Sequence, residues 1–266
     1  MTKEGFPLKQ MFLSTGKEFK EIETFEPGAW IHLVNPSQEE ALKVAERFNI
    51  DIQDLRAPLD VEETSRIDVE DDYTLILVDI PTQEERNNKS YYVTIPLGII
   101  VTDEVVVTTC LENISLMDDF LNHRVRNFYT FMKTRFVFQI LYRNAQLYLT
   151  ALRSIDRQND KLEAQLENST KNEHLIDMME LEKSIVYLKA SLKMNERIVK
   201  KLTGNASSLK KYIEDEDLLE DTLVETQQAI EMAGIYENVL NAMTETSASI
   251  INNNQNTIMK TLALMT

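Results

Sequence analysis

The side chains best suited to chemistry in this sequence are carboxylates, which are gathered in two clusters. The first cluster contains Asp60, Glu62, Glu63, Asp68, Glu70, Asp71 and Asp72, and the second contains Glu214–Asp217, Glu220 and Asp221. Neither cluster matches the Asp-x-Asp-x-Asp-Gly calcium loop, because the defining glycine is missing. Mg²⁺ needs only one or two carboxylates and keeps its waters, so a magnesium site would leave little trace in residue spacing.

Each acidic cluster also has a simpler interpretation as a solvated surface. A divalent cation would relieve the repulsion within the second cluster, and it would do so more strongly if several copies of the chain met there. The sequence therefore leaves two alternatives open for these carboxylates, a cation site or a charged surface.

A polar stripe in the last part of the chain is the more specific pattern. Glu245, Ser249, Asn252, Asn256 and Met259 follow one another at steps of four and three, which places them on one side of a helix. One interpretation is a solvent-facing stripe, with the packed seam running through Leu240, Ser247, Ile251 and Ile258. The other is a wet axis enclosed by several copies, since rings of polar side chains line cation pores.

The residues that most often serve catalysis are isolated here. His32, His123 and His174 are far apart and have no second ligand at metal-binding spacing. Cys110 ends an apolar strand, which favours a buried structural thiol. The chain has no glycine-rich phosphate loop. We therefore predict that the protein is not an enzyme.

Composition excludes several other functions. The net charge of −16 over 266 residues argues against binding nucleic acid or anionic lipid through charge. A single cysteine is typical of a reducing, cytoplasmic setting. The sequence shows no signal peptide and no apolar run near the ~20 residues of a membrane span.

The elements that must position these residues divide the chain into a turn-rich part and a helical part. All six prolines lie at or before Pro96. Ser37 and Glu40 predict a capping box at the start of a helix. Strands are predicted at Gln10–Leu13, Phe19–Ile22, Trp30–Val34, Ile67–Val69, Tyr73–Ile80, Tyr91–Val101 and Val105–Cys110, with turns at Gln83–Lys89 and Thr102–Glu104. This first part, residues 1–112, is expected to be a mixed α/β domain of αβα-like type.

Beyond it, apolar residues recur at helical spacing. A short helix near Leu116 is followed by a long antiparallel hairpin with helices at Phe131–Leu166 and Leu175–Leu202, joined by a turn at Ser169–Asn172. A last helix is expected from about Ser208 to Thr266. The fold class is therefore α+β, with a hairpin at 113–204 packed on the first domain and a stalk helix at 205–266.

In the order of its motifs, the chain resembles the CorA family of divalent-metal-ion channels. The run Trp30–Pro36 followed by a capped helix, the stretch from Asp54 through Ile67, and Tyr73–Ile80 resemble the family's N-terminal domain. The hairpin resembles the family's paired acidic helices. Asn256–Leu262 resembles its Asn-x-x-Met-Lys-x-Leu run ahead of the first membrane helix. The resemblance covers essentially the whole chain, although the family's Gly-Met-Asn sequence and both membrane helices are absent.

The resemblance implies a homopentamer in the cell inner membrane, with this portion cytoplasmic and lacking the membrane helices. Asn256, Met259 and Leu262 would line the pore, together with Glu245, Ser249 and Asn252 of the stripe. Asp221 falls where the family binds a regulatory Mg²⁺ between subunits. The other candidate ligands are Glu84, from the N-terminal domain, and Glu220 and Asp217. Bound Mg²⁺ would favour the closed state.

The sequence leaves alternatives for the transported ion and for the function of the protein. The expected ion is Mg²⁺, with Co²⁺, Ni²⁺ or Zn²⁺ as alternatives. A zinc transporter of the same family would share this architecture. A cytosolic coiled-coil interaction module is the alternative from another class, and it predicts no response to metal.

Overall fold

The computed structural model describes residues 10–16, 18–86, 89–166, 173–204, 209 and 213–265. The strands are β1 (Gln10–Thr15), β2 (Glu18–Glu21), β3 (Trp30–Val34), β4 (Arg66–Val69), β5 (Tyr73–Arg86), β6 (Lys89–Thr102) and β7 (Val106–Cys110). The helices are α1 (Gln38–Phe48), α2 (Ile52–Arg56), α3 (Ser115–Leu121), α4 (Lys133–Leu166), α5 (Glu173–Thr203) and α6 (Ile213–Met265). The α+β fold class predicted from the sequence is confirmed.

The strands form one mixed sheet in the order β2-β1-β3-β7-β6-β5-β4. Strands β3 and β7 are parallel, and the other neighbours are antiparallel. Helices cover both faces, so the central strands are apolar on both sides. In β5, Leu75 and Leu77 face α1 and α2, whereas Ile76 and Val78 face α3, α4 and α5. The result is a three-layer αβα arrangement.

Helix α1 begins as its sequence predicts. The Ser37 hydroxyl accepts a hydrogen bond from the Glu40 backbone N–H at 3.3 Å, and the Glu40 carboxylate accepts one from the Ser37 N–H at 2.9 Å. These two bonds complete the capping box and satisfy backbone donors that a helix start leaves unpaired.

The β5–β6 hairpin is longer than predicted. A turn was expected at Gln83–Lys89, but β5 continues to Arg86 and β6 resumes at Lys89, with Glu84 opposite Tyr91. Charged residues do not end the strands here because α5 supports them. Lys89 Nζ lies 2.7 Å from an Asp177 carboxylate oxygen, and Arg86 lies 3.5 Å from Glu180.

Polar side chains of the helices bind the sheet at Asp79 of β5, two residues beyond Leu77, where the pairing with β4 stops. The Asn195 amide accepts a hydrogen bond from the Asp79 N–H at 3.0 Å and donates one to the Asp79 carbonyl at 2.8 Å. Asn144 and Tyr148 of α4 donate to the same carbonyl at 2.8 and 3.1 Å. Because β4 pairs with β5 only as far as Leu77, these side chains replace the missing strand.

Helix α6 packs along both helices of the hairpin. It is antiparallel to α5, because Lys189 pairs with Glu237 whereas the earlier Met178 contacts the later Ser247. It is parallel to α4, because Arg135 pairs with Asp215 and the later Asn159 contacts the later Met243. Helix α4 begins at Lys133 rather than Phe131, and α6 begins at Ile213. The turn predicted at 169–172 lies outside the described residues.

The end of α6 extends beyond the start of α5. Helix α5 starts five residues before Met178, the residue that contacts Ser247. The two helices therefore lie side by side only to about residue 252, and roughly 20 Å of α6 continues past that point. Across the described residues, no helix combines the length and the apolar character that crossing a membrane requires.

Candidate metal-ion site and ion path on the long helix

The acidic start of α6 divides into structural and exposed carboxylates. Asp215 is buried and lies 3.2 Å from Arg135 of α4, so it anchors the helix start. Asp217, Glu220 and Asp221 are exposed and make no ion pair with any residue that the structure describes. Spacings of three and four place these three carboxylates on one side of the helix, where they repel one another. A cation would relieve this repulsion.

Glu84 does not lie beside these carboxylates within one chain. Its carboxylate accepts a hydrogen bond from Arg86 at 2.6 Å, which lowers the pKa of Glu84. Arg86 also contacts Glu180, next to the part of α5 that packs near Ser247 of α6. Ser247 is about 40 Å along α6 from Asp221. A site that combines Glu84 with Asp221 would therefore need the β5–β6 hairpin of a neighbouring copy.

The first acidic cluster is largely occupied by structural contacts. Arg66 binds Glu63 at 2.6 Å and Asp68 at 2.5 Å. Asp60 accepts a hydrogen bond from the Glu62 N–H at 3.0 Å, and Asp72 accepts one from Asn49. In the described part of the chain, no group of three or more His, Cys, Asp or Glu side chains is arranged to hold a metal ion.

The stripe on α6 is only partly described. Glu245, Ser249 and Met259 are exposed on α6. Asn252, Asn256 and Leu262 belong to the same helix, but their side chains lie outside the described residues. Leu240 and Ser247 of the alternative seam are buried, and Ser247 Oγ lies 3.7 Å from Met178 Sδ, so this part of the seam packs against the chain's own hairpin.

One face of α6 is left uncovered by the described residues of its own chain, a feature that the sequence reasoning missed. Val224, Ile235 and Val239 are exposed by 56%, 61% and 42%. At 100° per residue they share an arc of roughly 120° with Asp217, Glu220, Asp221, Glu245 and Ser249. The apolar periodicity could not identify them, because Leu219, Ala233 and Leu240, buried in the bundle, dominate the pattern.

Cys110 has the buried structural role that the sequence favours, and His32 is also part of the core. His32 is buried, its Nδ1 lies 2.9 Å from Thr108 Oγ1, and burial lowers its pKa to about 4. Cys110 is buried, which raises the pKa of its thiol to about 12. A thiol with this pKa is protonated at neutral pH and is a poor nucleophile.

Comparison with known proteins gives a consistent family assignment. The model of the family described as CorA-like Mg²⁺ transporter protein matches residues 26–266. The cobalt/magnesium transport protein CorA of Methanocaldococcus jannaschii is 27% identical over 251 residues, which cover 89% of this chain and 74% of that protein.

Solved structures show the same fold. The complete CorA magnesium transporter from Methanocaldococcus jannaschii matches with a TM-score of 0.82 at 23% identity, covering 97% of this chain and 82% of that one. The soluble domain of the same transporter matches with a TM-score of 0.79 at 22% identity, covering 90% of this chain and 97% of that one.

Proposed function

Because this chain belongs to the CorA-like Mg²⁺ transporter family, we propose that it is the ion-sensing and stalk part of a CorA-type magnesium channel on the cytoplasmic side of the cell inner membrane. In this proposal residues 1–112 and 113–204 form the sensing domain and its hairpin, and residues 205–266 form the stalk. The sensing domain would regulate the passage of ions, and the stalk would line part of their path. We expect no catalysis from this protein.

The uncovered face of α6 is the observation that carries the proposal. It presents exposed carboxylates near Asp221, exposed apolar side chains at Val224 and Ile235, and polar side chains at Glu245 and Ser249, in that order along one helix. Exposed apolar residues in a row favour contact with another protein surface. We propose that equivalent helices of a homopentamer meet through this face.

We propose the exposed carboxylates as the regulatory site. Asp221 would bind Mg²⁺ between subunits, with Asp217 and Glu220 within reach on the same side. Glu84 of a neighbouring subunit stays the candidate partner from the sheet domain, and binding would first have to displace Arg86. Mg²⁺ would hold adjacent subunits together and favour the closed state, because without it the carboxylates repel one another.

The ion path would follow the same helix toward the projecting end of α6. Glu245, Ser249, Asn252, Asn256, Met259 and Leu262 are the proposed lining residues. Rings of carboxylate, hydroxyl and amide oxygens can replace part of the hydration shell of a cation. The length of α6 beyond the start of α5 supports this assignment, because Met259 and Leu264 in that part of the helix are exposed by 69% and 88%.

The sensor proposal is tested by measuring molar mass by light scattering while MgCl₂ is raised from zero to about millimolar concentration, the range of weak carboxylate sites. We expect the mass of the 266-residue chain to rise with Mg²⁺. Asp221→Ala should require several-fold more Mg²⁺, because one ligand is lost. Glu46→Ala removes an exposed carboxylate from α1 and should leave the response unchanged. A mass that does not respond to Mg²⁺ would remove the sensor role.

The identity of the ion is a separate question. The family description names Mg²⁺, and the curated relative is a cobalt/magnesium transport protein. A thermal-shift comparison of Mg²⁺, Co²⁺, Ni²⁺ and Zn²⁺ distinguishes our proposal from the zinc alternative. Stabilisation by Zn²⁺ alone, lost in Asp221→Ala, would favour the zinc transporter.

A further inference from the structure

A cavity of about 270 Å³ lies far from the acidic start of α6, where three elements meet. Its walls come from the end of α4, the start of α5 and the start of β6. None of its lining residues belongs to the proposed sensor or ion path. The cavity is therefore a separate place for binding.

The described lining of this cavity contains more cationic than anionic side chains, whereas the whole protein is acidic. Its lining includes Lys89, Lys161 and Asp177. Both oxygens of Asp177 accept hydrogen bonds from Lys89 Nζ, at 2.8 and 2.7 Å, so this carboxylate is neutralised. Lys161 is exposed and makes no ion pair within the described part of the chain. Over the ~8 Å screening length of physiological salt, such local charges outweigh the distant net charge of −16.

A histidine in the lining adds a second polar group. The Nδ1 atom of His174 is buried and has no hydrogen-bond partner among the described residues. Buried polar atoms in folded proteins are nearly always paired, so an unpaired one indicates a water or ligand atom nearby. A histidine ring nitrogen that carries a hydrogen can donate a hydrogen bond to an anion.

The remaining walls are apolar. Tyr91, Leu162 and Leu181 line the cavity, and Tyr91 is buried against the hairpin. Apolar walls with a few polar groups are typical of small-molecule sites, and this cavity lies just below their usual range of about 300–1,000 Å³. An apolar cavity of about 150 Å³ already holds benzene, so this one can take a ring with an attached charged group.

We propose that this cavity binds a small organic anion, a carboxylate or a phosphate carried on an apolar body. The charged group interacts with Lys161 and His174, and the apolar body lies against Tyr91, Leu162 and Leu181. The bound anion contacts the sheet hairpin and both helices of the helical hairpin at once. It therefore stabilises their packing without contacting α6.

Calorimetric titration of the 266-residue chain tests this proposal with phenyl phosphate, benzoate, inorganic phosphate and benzylamine, in a Tris chloride buffer without divalent cations. Phenyl phosphate or benzoate should bind saturably, and whichever is tighter identifies the preferred charged group. Inorganic phosphate should bind more weakly because it lacks the apolar body. Benzylamine, a cation of similar shape, should not bind.

Two variants locate the binding. Lys161→Gln should raise the dissociation constant about fivefold, the effect of losing one partly exposed ion pair. Lys193→Gln removes an exposed lysine from α5 outside the cavity and should leave binding unchanged. The proposal is overturned if neither aromatic anion binds up to about 10 mM. Equal binding of benzylamine, or equal effects of the two substitutions, would overturn it as well.

Discussion

At the scale of single residues, the buried ring of His32 makes the stability of the fold depend on pH. Its Nδ1 faces the hydroxyl of Thr108, which already accepts a hydrogen bond from Trp30 Nε1 at 2.8 Å. The one hydroxyl proton of Thr108 is thus available for the neutral ring of His32. Protonating His32 would place a charge in a core among Trp30 and strands β3 and β7, and for this reason its pKa falls to about 4.

The folded pKa of His32 is below its unfolded value of 6.5, so between these values the unfolded chain binds more protons. The stability from the neutral ring is therefore full above pH 6.5 and is lost as the pH falls toward 4, by roughly 3 kcal/mol in total. Urea unfolding at pH 7 and pH 4.5 measures this loss. His32→Gln should reduce the loss, and an equal loss in both proteins would contradict the assignment.

At the scale of elements, two glycines show how packing decides what a helix or strand tolerates. Gly234 lies inside α6, where an added Cβ would come no closer than 3.7 Å to Lys189 Nζ. Gly98 lies in β6, where an added Cβ would lie 2.3 Å from Pro58 Cγ. The first glycine leaves room for a methyl group, and the second allows Pro58 to contact the sheet.

Gly234→Ala should stabilise the chain by about 0.5–1 kcal/mol, because alanine restricts the unfolded chain and has the higher helix propensity. Gly98→Ala should destabilise it by about 1–3 kcal/mol through overpacking. Chemical denaturation of the two variants measures both effects. Destabilisation by Gly234→Ala would show that this position on α6 is more crowded than the single chain indicates.

The elements predicted best from the sequence are those set by local patterns. Ser37 and Glu40 specify a capping box within four residues, and Trp30–Val34 is apolar enough to identify a strand buried on both faces. Strand β5 extends to Arg86 because that residue pairs with Glu180. Asp215 is buried, unlike the rest of the acidic cluster, because it pairs with Arg135. These partners lie about 80 residues or more away, and no local pattern contains them.

At the scale of the whole molecule, the uncovered face of α6 predicts how the chain associates. Ile235 is 61% exposed and lies between the exposed carboxylates and the polar stripe. Ile235→Asp would place a charge in the proposed helix contacts and should weaken association at least tenfold, the effect of about 1.4 kcal/mol. Sedimentation velocity at several protein concentrations, with saturating Mg²⁺, measures this change.

Val61→Asp is the matched control, because Val61 is 56% exposed and lies in a turn far from α6 along the chain. It should associate like the unchanged protein. If the two aspartate variants weaken association equally, or if neither does, α6 does not supply the contact. The family and its long helix are predictable from sequence, but this face is defined only when the hairpin is seen to cover the other sides of α6.

The amide of Asn195 covers backbone groups at an edge of strand β5. Beyond Leu77, β6 is the only strand of the described residues that pairs with β5, so the other edge of β5 has no described neighbouring strand from there to Arg86. An open strand edge is a template for strands of other molecules. Asn195 occupies the N–H and the carbonyl of Asp79 at the start of this edge. Detachment of α5 would expose these groups. On heating, we therefore expect the edge of β5 to be the first aggregation-prone surface to become exposed.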